Sequence, residues 1–177
     1  MYPDDFLGML KSRQQANIAL AKRLLEVDAT KLNASPKGKE WSALQCVEHL
    51  VLTDKIYLDY FNNLRHSIGS AVPNKPYKPT AMVKLIIWMV GPRGKVMVPV
   101  PEKFEPTKGM KDKSVIERYL ELQSLFDLWL RDAKELDLRS KVTSPVNEKM
   151  SFPLGAALHM LMEHDARHLM QAQRAIS

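Results

Sequence analysis

Four stretches of this chain repeat apolar side chains at the three- and four-residue spacing of an α-helix, and none pairs with another as alternating strands would. A helix with one apolar stripe must bury it against another element, so the pattern predicts an all-α four-helix bundle. The first helix is expected from about Asp4 to Glu26, with Phe6, Leu7, Leu10, Ile18, Leu20, Leu24 and Leu25 on its apolar face. Asp4 and Asp5 suit its positive N-terminal end. After a polar connection containing Asn33, Ser35, Pro36 and Gly38, the second opens at Ser42, where Ser42-x-x-Gln45 forms a capping box. It continues through Leu52, Ile56, Tyr60 and Leu64 to about Ile68. The third starts near Ser114 on a second such box, Ser114-x-x-Glu117, and reaches about Leu136. The fourth begins around Ser151-Phe152-Pro153 and runs almost to the C-terminus.

Residues 69–113 form a long irregular crossover between helices two and three. Seven of the eleven prolines fall there, and only Thr80 to Val90, ended by Gly91-Pro92, has helical spacing. Val96 to Val100 could pass for a strand, but Pro99 and the lack of a partner run make it an extended loop. A crossover this long is usually functional or packs across the domain's surface.

With 177 residues, the whole span 1–177 is expected to be a single domain. The single cysteine, Cys46, excludes an internal disulfide framework and fits a reducing compartment. The acidic start is no signal peptide, and Leu85 to Val90 is too short to cross a bilayer. A cytoplasmic protein with no membrane partner is expected. The net charge of +6 raises nucleic-acid binding. However, the cations are scattered, with small clusters at Lys37/Lys39, Arg93/Lys95 and Lys108/Lys111/Lys113, and no helix carries a basic stripe. A solvated basic surface is expected, with no nucleic-acid partner.

His164 and His168, in Glu163-His164-Asp165-Ala166-Arg167-His168, lie four apart and so one above the other on the last helix. That is how a helix offers two imidazoles to one metal ion. His49 falls on the stripe of Gln45, Cys46, Leu52, Thr53, Ile56 and Tyr60 and should look into the bundle. Three histidines from two helices would leave a divalent cation with an open coordination position. Taken alone, an inward histidine is more often a hydrogen-bonded core residue. Cys46 could close the site as a fourth ligand or be a small buried thiol. His159 lies roughly 140° around the wheel from His164 and reads as packing or surface, and His66 suits a helix C-terminus. His164-Asp165-x-x-His168 also looks like the zincin pattern, but aspartate is a methylene shorter than the usual glutamate and only nine residues follow His168. A protease is therefore not expected. Asp54 and Asp165 are the acidic candidates for a general base near these motifs.

Trp41-Ser42, Gln45, His49-Leu50 and Asp54 resemble the helix-two signature of the DinB/YfiT-like metalloprotein superfamily. Pro145 to Gln171, with its core His164-Asp165-x-Arg167-His168-x-x-Gln171, is similar to that family's last helix. Gly91-Pro92 through Lys103-Phe104-Glu105-Pro106 resembles the crossover of the second DinB-like subgroup. The resemblance implies a four-helix bundle holding one divalent ion, commonly nickel or zinc, on His49, His164 and His168. It leaves open whether Arg167 and Gln171 touch metal or substrate. It also implies a metal-dependent thiol S-transferase, using a low-molecular-weight thiol, or a hydrolase. Either would act on a small electrophilic substrate, in a possible homodimer. A non-catalytic metal-binding or stress-response interaction protein is the alternative.

Overall fold

The computed structural model describes residues 1–36, 40–71, 75–94 and 99–177. Lys37, Gly38, Lys39, Pro73, Lys95 and Val96 to Val98 therefore lie outside the described residues, and with them most of the doubtful strand. The described chain is mostly helical: α1 (Pro3–Leu25), α2 (Ala29–Asn33), α3 (Ala43–Leu64), α4 (Ala81–Val90), α5 (Ser114–Asp132) and α6 (Leu154–Ala175). A two-stranded antiparallel ribbon, β1 (Lys141–Thr143) and β2 (Ser151–Pro153), pairs Val142 with Phe152. The long helices pack α1 against α5 and α6, and α3 against α5 and α6.

The mostly helical chain agrees with the all-α expectation, to which the small ribbon and the short α2 are additions. The ribbon removes Ser151 to Pro153 from the start of α6, whose N-cap is Pro153 and has no side-chain cap. Instead the backbone N–H groups of Leu154 and Gly155 donate to the carbonyls of Ser140 and Leu138, so the chain entering β1 satisfies two of the N–H groups a helix start leaves unpaired. The Ser42 capping box is present in full: its Oγ accepts from Gln45 N, and Gln45 Oε1 accepts from Ser42 N. The box expected at Ser114 is not. There the N-cap is Lys113, and Asp112 Oδ1 accepts from Ser114 N at 2.7 Å.

Each long helix buries a stripe of three- and four-residue steps, and each stripe is interrupted by a polar residue. On α1, Gln14 and Asn17 stand between Leu10 and Ala21. Asp54 stands between Leu50 and Leu58 on α3, Gln123 between Tyr119 and Phe126 on α5, and Asp165 between Met162 and Leu169 on α6. These five form one buried layer that divides the core in two. On one side are Leu10, Leu58, Phe61, Phe126, Leu158 and Met162. On the other are Ala21, Leu24, Leu44, Val47, Leu50, Tyr119 and Leu169.

The crossover contributes α4, capped by Thr80 Oγ1 on Val83 N and laid along α6 with Val83 and Ile87 inward. It ends in the turn Gly91–Gly94, where Gly94 N donates to Gly91 O. A side chain at Gly94 would run into the carbonyl of Met89, so only glycine fits.

These caps separate two serines that look alike in sequence. Ser42→Ala should destabilise the fold by about 1 kcal/mol, while Ser114→Ala should stay within about 0.5 kcal/mol of wild type. Urea unfolding monitored by circular dichroism reads both, and equal losses would contradict the cap assignment.

Candidate metal centre

His49 comes from α3, and His164 and His168 from α6, just on one side of the polar layer. One ring nitrogen from each lies within 4.8 Å of the other two. Ring centroids are 5.1 Å apart for His49–His164 and 4.6 Å for each of the other pairs. Trp41, at the entry to α3, lies against His49 and His168 with centroid distances of 5.0 and 6.0 Å.

Two of the three rings are held by their outer nitrogen. His49 Nδ1 donates to the carbonyl of Phe104 at 2.7 Å, and His168 Nδ1 donates to Gln171 Oε1 at 3.0 Å. A proton fixed on Nδ1 leaves the Nε2 lone pair for a ligand, which is the state a metal-binding imidazole needs. Nε2 of His49 stands 3.1 Å from Nε2 of His164. His164 Nδ1 is buried without a hydrogen-bond partner, its nearest carboxyl oxygen being Asp165 Oδ1 at 3.9 Å. Burial pushes the pKa of all three imidazoles down, His164 to about 3 with help from His49 and Arg167, and His168 well below the usual range. Three uncharged imidazoles with converging nitrogens fit a divalent cation, since each supplies one neutral donor and together they leave a coordination position free.

The contact that sets His49 is made by the crossover. Phe104 closes the 3-10 turn Glu102–Phe104, and the residues after it are clamped to α3 by Glu48. Glu48 accepts from Thr107 N at 2.8 Å and pairs with Lys111 Nζ at 2.7 Å. The family-like position Gln45 does double service, completing the Ser42 box and donating to Thr107 O. Gln171 orients His168 through its ring nitrogen. Arg167 donates to Met89 O at 2.8 Å and so ties α6 to the end of α4.

Asp165 is hydrogen-bonded within the core and not to the histidines, its Oδ1 lying 3.9 Å from His164 Nδ1. Its Oδ2 accepts from Tyr119 Oη and Gln123 Nε2, both at 3.1 Å, and Gln123 Nε2 also donates to Asp54 Oδ2 at 2.8 Å. Both carboxyls are fully buried, and burial raises both pKa values; for Asp54 the neighbouring Asp165 raises it further. Two buried carboxyls bridged by one Gln123 amide repel when both are ionised, which favours keeping a proton on the pair. Neither carboxyl hydrogen-bonds to a site histidine. Cys46 is buried in the apolar core, its thiol pushed up to about 12 by burial, and is not among the grouped donors. His159 packs edge-on to Phe6 beside Glu163, and His66 is exposed after α3, so neither joins the site.

The sequence profile of the DinB superfamily matches residues 11–172, and the chain belongs to that superfamily. Neither a curated protein nor a solved structure matches it significantly.

Replacing His49, His164 or His168 by alanine should each lower zinc or nickel affinity by at least about a hundredfold. His159→Ala and His66→Ala should leave it within about threefold, since neither touches the site. Isothermal titration with each ion reads this, and a loss at His159 equal to that at His164 would overturn the ligand set.

The buried carboxyls make a pH prediction of definite sign. Their folded pKa values are raised, so the folded protein holds a proton that the unfolded chain releases near pH 4. The stability this gives is present at low pH and lost as pH rises through the folded range, near 7 for Asp165. The histidines, with lowered folded values, run the opposite way below about pH 6.5. They are common to wild type and Asp54→Asn and cancel in the comparison. Measured metal-free by urea unfolding, Asp54→Asn should gain on wild type by more than about 1 kcal/mol between pH 5 and pH 8. A difference independent of pH would refute the shared proton.

Proposed function

We propose that this DinB-superfamily protein binds one divalent ion, nickel or zinc, on His49, His164 and His168, and uses it in thiol S-transfer to a small electrophile. The long helices are read as a four-helix bundle, with residues 1–177 as one domain. The observation that carries the metal reading is the convergence of one ring nitrogen from each of three histidines that burial keeps neutral, two of them with an acceptor on Nδ1 that fixes the tautomer. A divalent ion with an open position lowers the pKa of a thiol or water that enters it.

Transfer is favoured over hydrolysis by what stands near the site. A hydrolase of zincin type needs a carboxylate beside the bound water, and Asp54 and Asp165 are both committed to each other and to Gln123 inside the core. A thiol needs no such base once its thiolate is stabilised. The chain's own residues would keep His49 and His168 in the ligating tautomer, and Trp41 would wall one side with an apolar ring. In the overall reaction a sulfur–carbon bond forms as halide leaves an aromatic ring or an epoxide C–O bond opens, with the thiol proton passing to solvent or to the opened oxygen.

A non-catalytic metal-binding role is the second reading. It would favour a site closed by protein ligands, and Cys46, the natural fourth donor, sits instead among Leu44, Val47 and Leu50.

The protein should be loaded with cobalt and titrated with bacillithiol, mycothiol, glutathione and simple thiols. A sulfur-to-metal charge-transfer band is expected, lost in His164→Ala, along with conjugation to a chlorinated aromatic or an epoxide. Cobalt binding without any thiol-dependent band or conjugate would refute the transferase reading and leave hydrolysis or the non-catalytic role.

A further inference from the structure

The charge of this chain is concentrated in one segment. Between Asp59 and Glu102 there is no acidic residue, while Arg65, Lys75, Lys78, Lys84, Arg93 and Lys95 supply six cations. The chain's net charge is +6, so the remainder carries equal numbers of acids and bases. Within that segment lies α4, which seats Val83 and Ile87 on α6 and turns the opposite side outward. The outward side is apolar. Met82 is 65% exposed, Leu85 51% and Trp88 49%, at three-residue steps along one face of the helix. Lys84 stands on the edge of that face, Lys78 precedes the cap, and Arg93 follows the end. Among the described residues, Lys78, Lys84 and Arg93 make no ion pair.

We propose that α4 is a docking element whose outward face lies on the surface of an anionic lipid bilayer. Two features of this surface select that occupant. Leucine, methionine and tryptophan on one side with lysine and arginine at the edges is the pattern of a helix lying in the plane of the interface. Tryptophan favours the headgroup level, and the lysine stems reach past the apolar face to the phosphates. A second copy of the chain is a poorer fit. Three half-exposed side chains offer on the order of 300 Å², against about 800 Å² per partner for a stable dimer. A symmetric contact would also bring each copy's cations together.

Spanning length bears only on crossing a bilayer, and no described helix is long and apolar enough to cross a membrane. Lying on a surface needs only a short amphipathic face. The proposal is independent of the metal reading.

The full chain should be sedimented with phosphatidylcholine vesicles containing or lacking phosphatidylglycerol. It should partition to the anionic vesicles only, with Trp88 emission moving to shorter wavelength and release on raising salt. The double variant Lys78→Glu/Lys84→Glu and the double variant Met82→Ser/Leu85→Ser should each bind at least about tenfold more weakly. Both alter exposed side chains, and unchanged thermal midpoint and zinc stoichiometry would show them folded. Equal partition to neutral and anionic vesicles would overturn the proposal, as would no partition. So would binding of single-stranded RNA without binding of vesicles, or a concentration-dependent dimer abolished by Met82→Ser/Leu85→Ser.

Discussion

Gln14, Asn17, Asp54, Gln123 and Asp165 meet in the middle of the molecule with essentially no exposure to water. A buried polar group left unpaired costs about 1–3 kcal/mol, so the helices settle where each of these side chains has at least one hydrogen bond, although one oxygen each of Asn17, Asp54, Gln123 and Asp165 has none. Gln14 donates to the backbone of α5 at Gln123, and Asn17 to that of α6 at Met162. Gln123 reaches from α5 to the carboxyls of both α3 and α6. Every long helix is thus tied to others at one level. Sliding one of them by a residue would turn its polar group by about 100° and strand several partners together. Apolar packing alone discriminates less sharply between neighbouring registers, because leucine against phenylalanine is tolerable in several arrangements.

The histidines inherit that registration. His49 lies five residues before Asp54, and His164 is the neighbour of Asp165, so the contact between the carboxyls also sets the depth at which α3 and α6 present their imidazoles. The price in this arrangement is electrostatic: burial opposes ionisation of the aspartates and protonation of the histidines alike. The outcome is a pair of carboxyls that retain a proton beside three imidazoles that refuse one. For a site whose ligands must be neutral, that is the useful combination.

The sequence shows the four long helices and the three histidines because both follow from three- and four-residue spacing, which no tertiary contact has to supply. The same spacing contained the polar layer. Val47, Leu50, Asp54, Leu58 and Phe61 form an unbroken core stripe with a carboxylate in the middle, and Ile116, Tyr119, Gln123 and Phe126 do the same with an amide. A polar side chain at a core position on each of four helices is the available signal, whereas proximity to the histidine motifs makes Asp54 and Asp165 look like candidate general bases. Other features were not legible. The ribbon residues Lys141–Thr143 and Ser151–Pro153 are too short to show alternation, and exist because α6 needs acceptors at its start. Ser114 carries the letters of a capping box, but Asp112 competes for its N–H and moves the cap to Lys113.

The crossover between α3 and α5 looks like a connection and acts as a brace. One part of it, Phe104 to Lys111, fastens to α3 and supplies the carbonyl that fixes the His49 proton on Nδ1. Another part, α4, lies along α6, and its last turn receives the Arg167 guanidinium between His164 and His168. Both helices that carry site histidines are therefore gripped from outside by one continuous segment, while the polar layer holds them from within. Imidazole rings turn readily about their side-chain bonds, so helix register by itself would leave each free to present either nitrogen. The inner contacts set where the rings are, and the carbonyl of Phe104, with Gln171, sets which nitrogen faces the others.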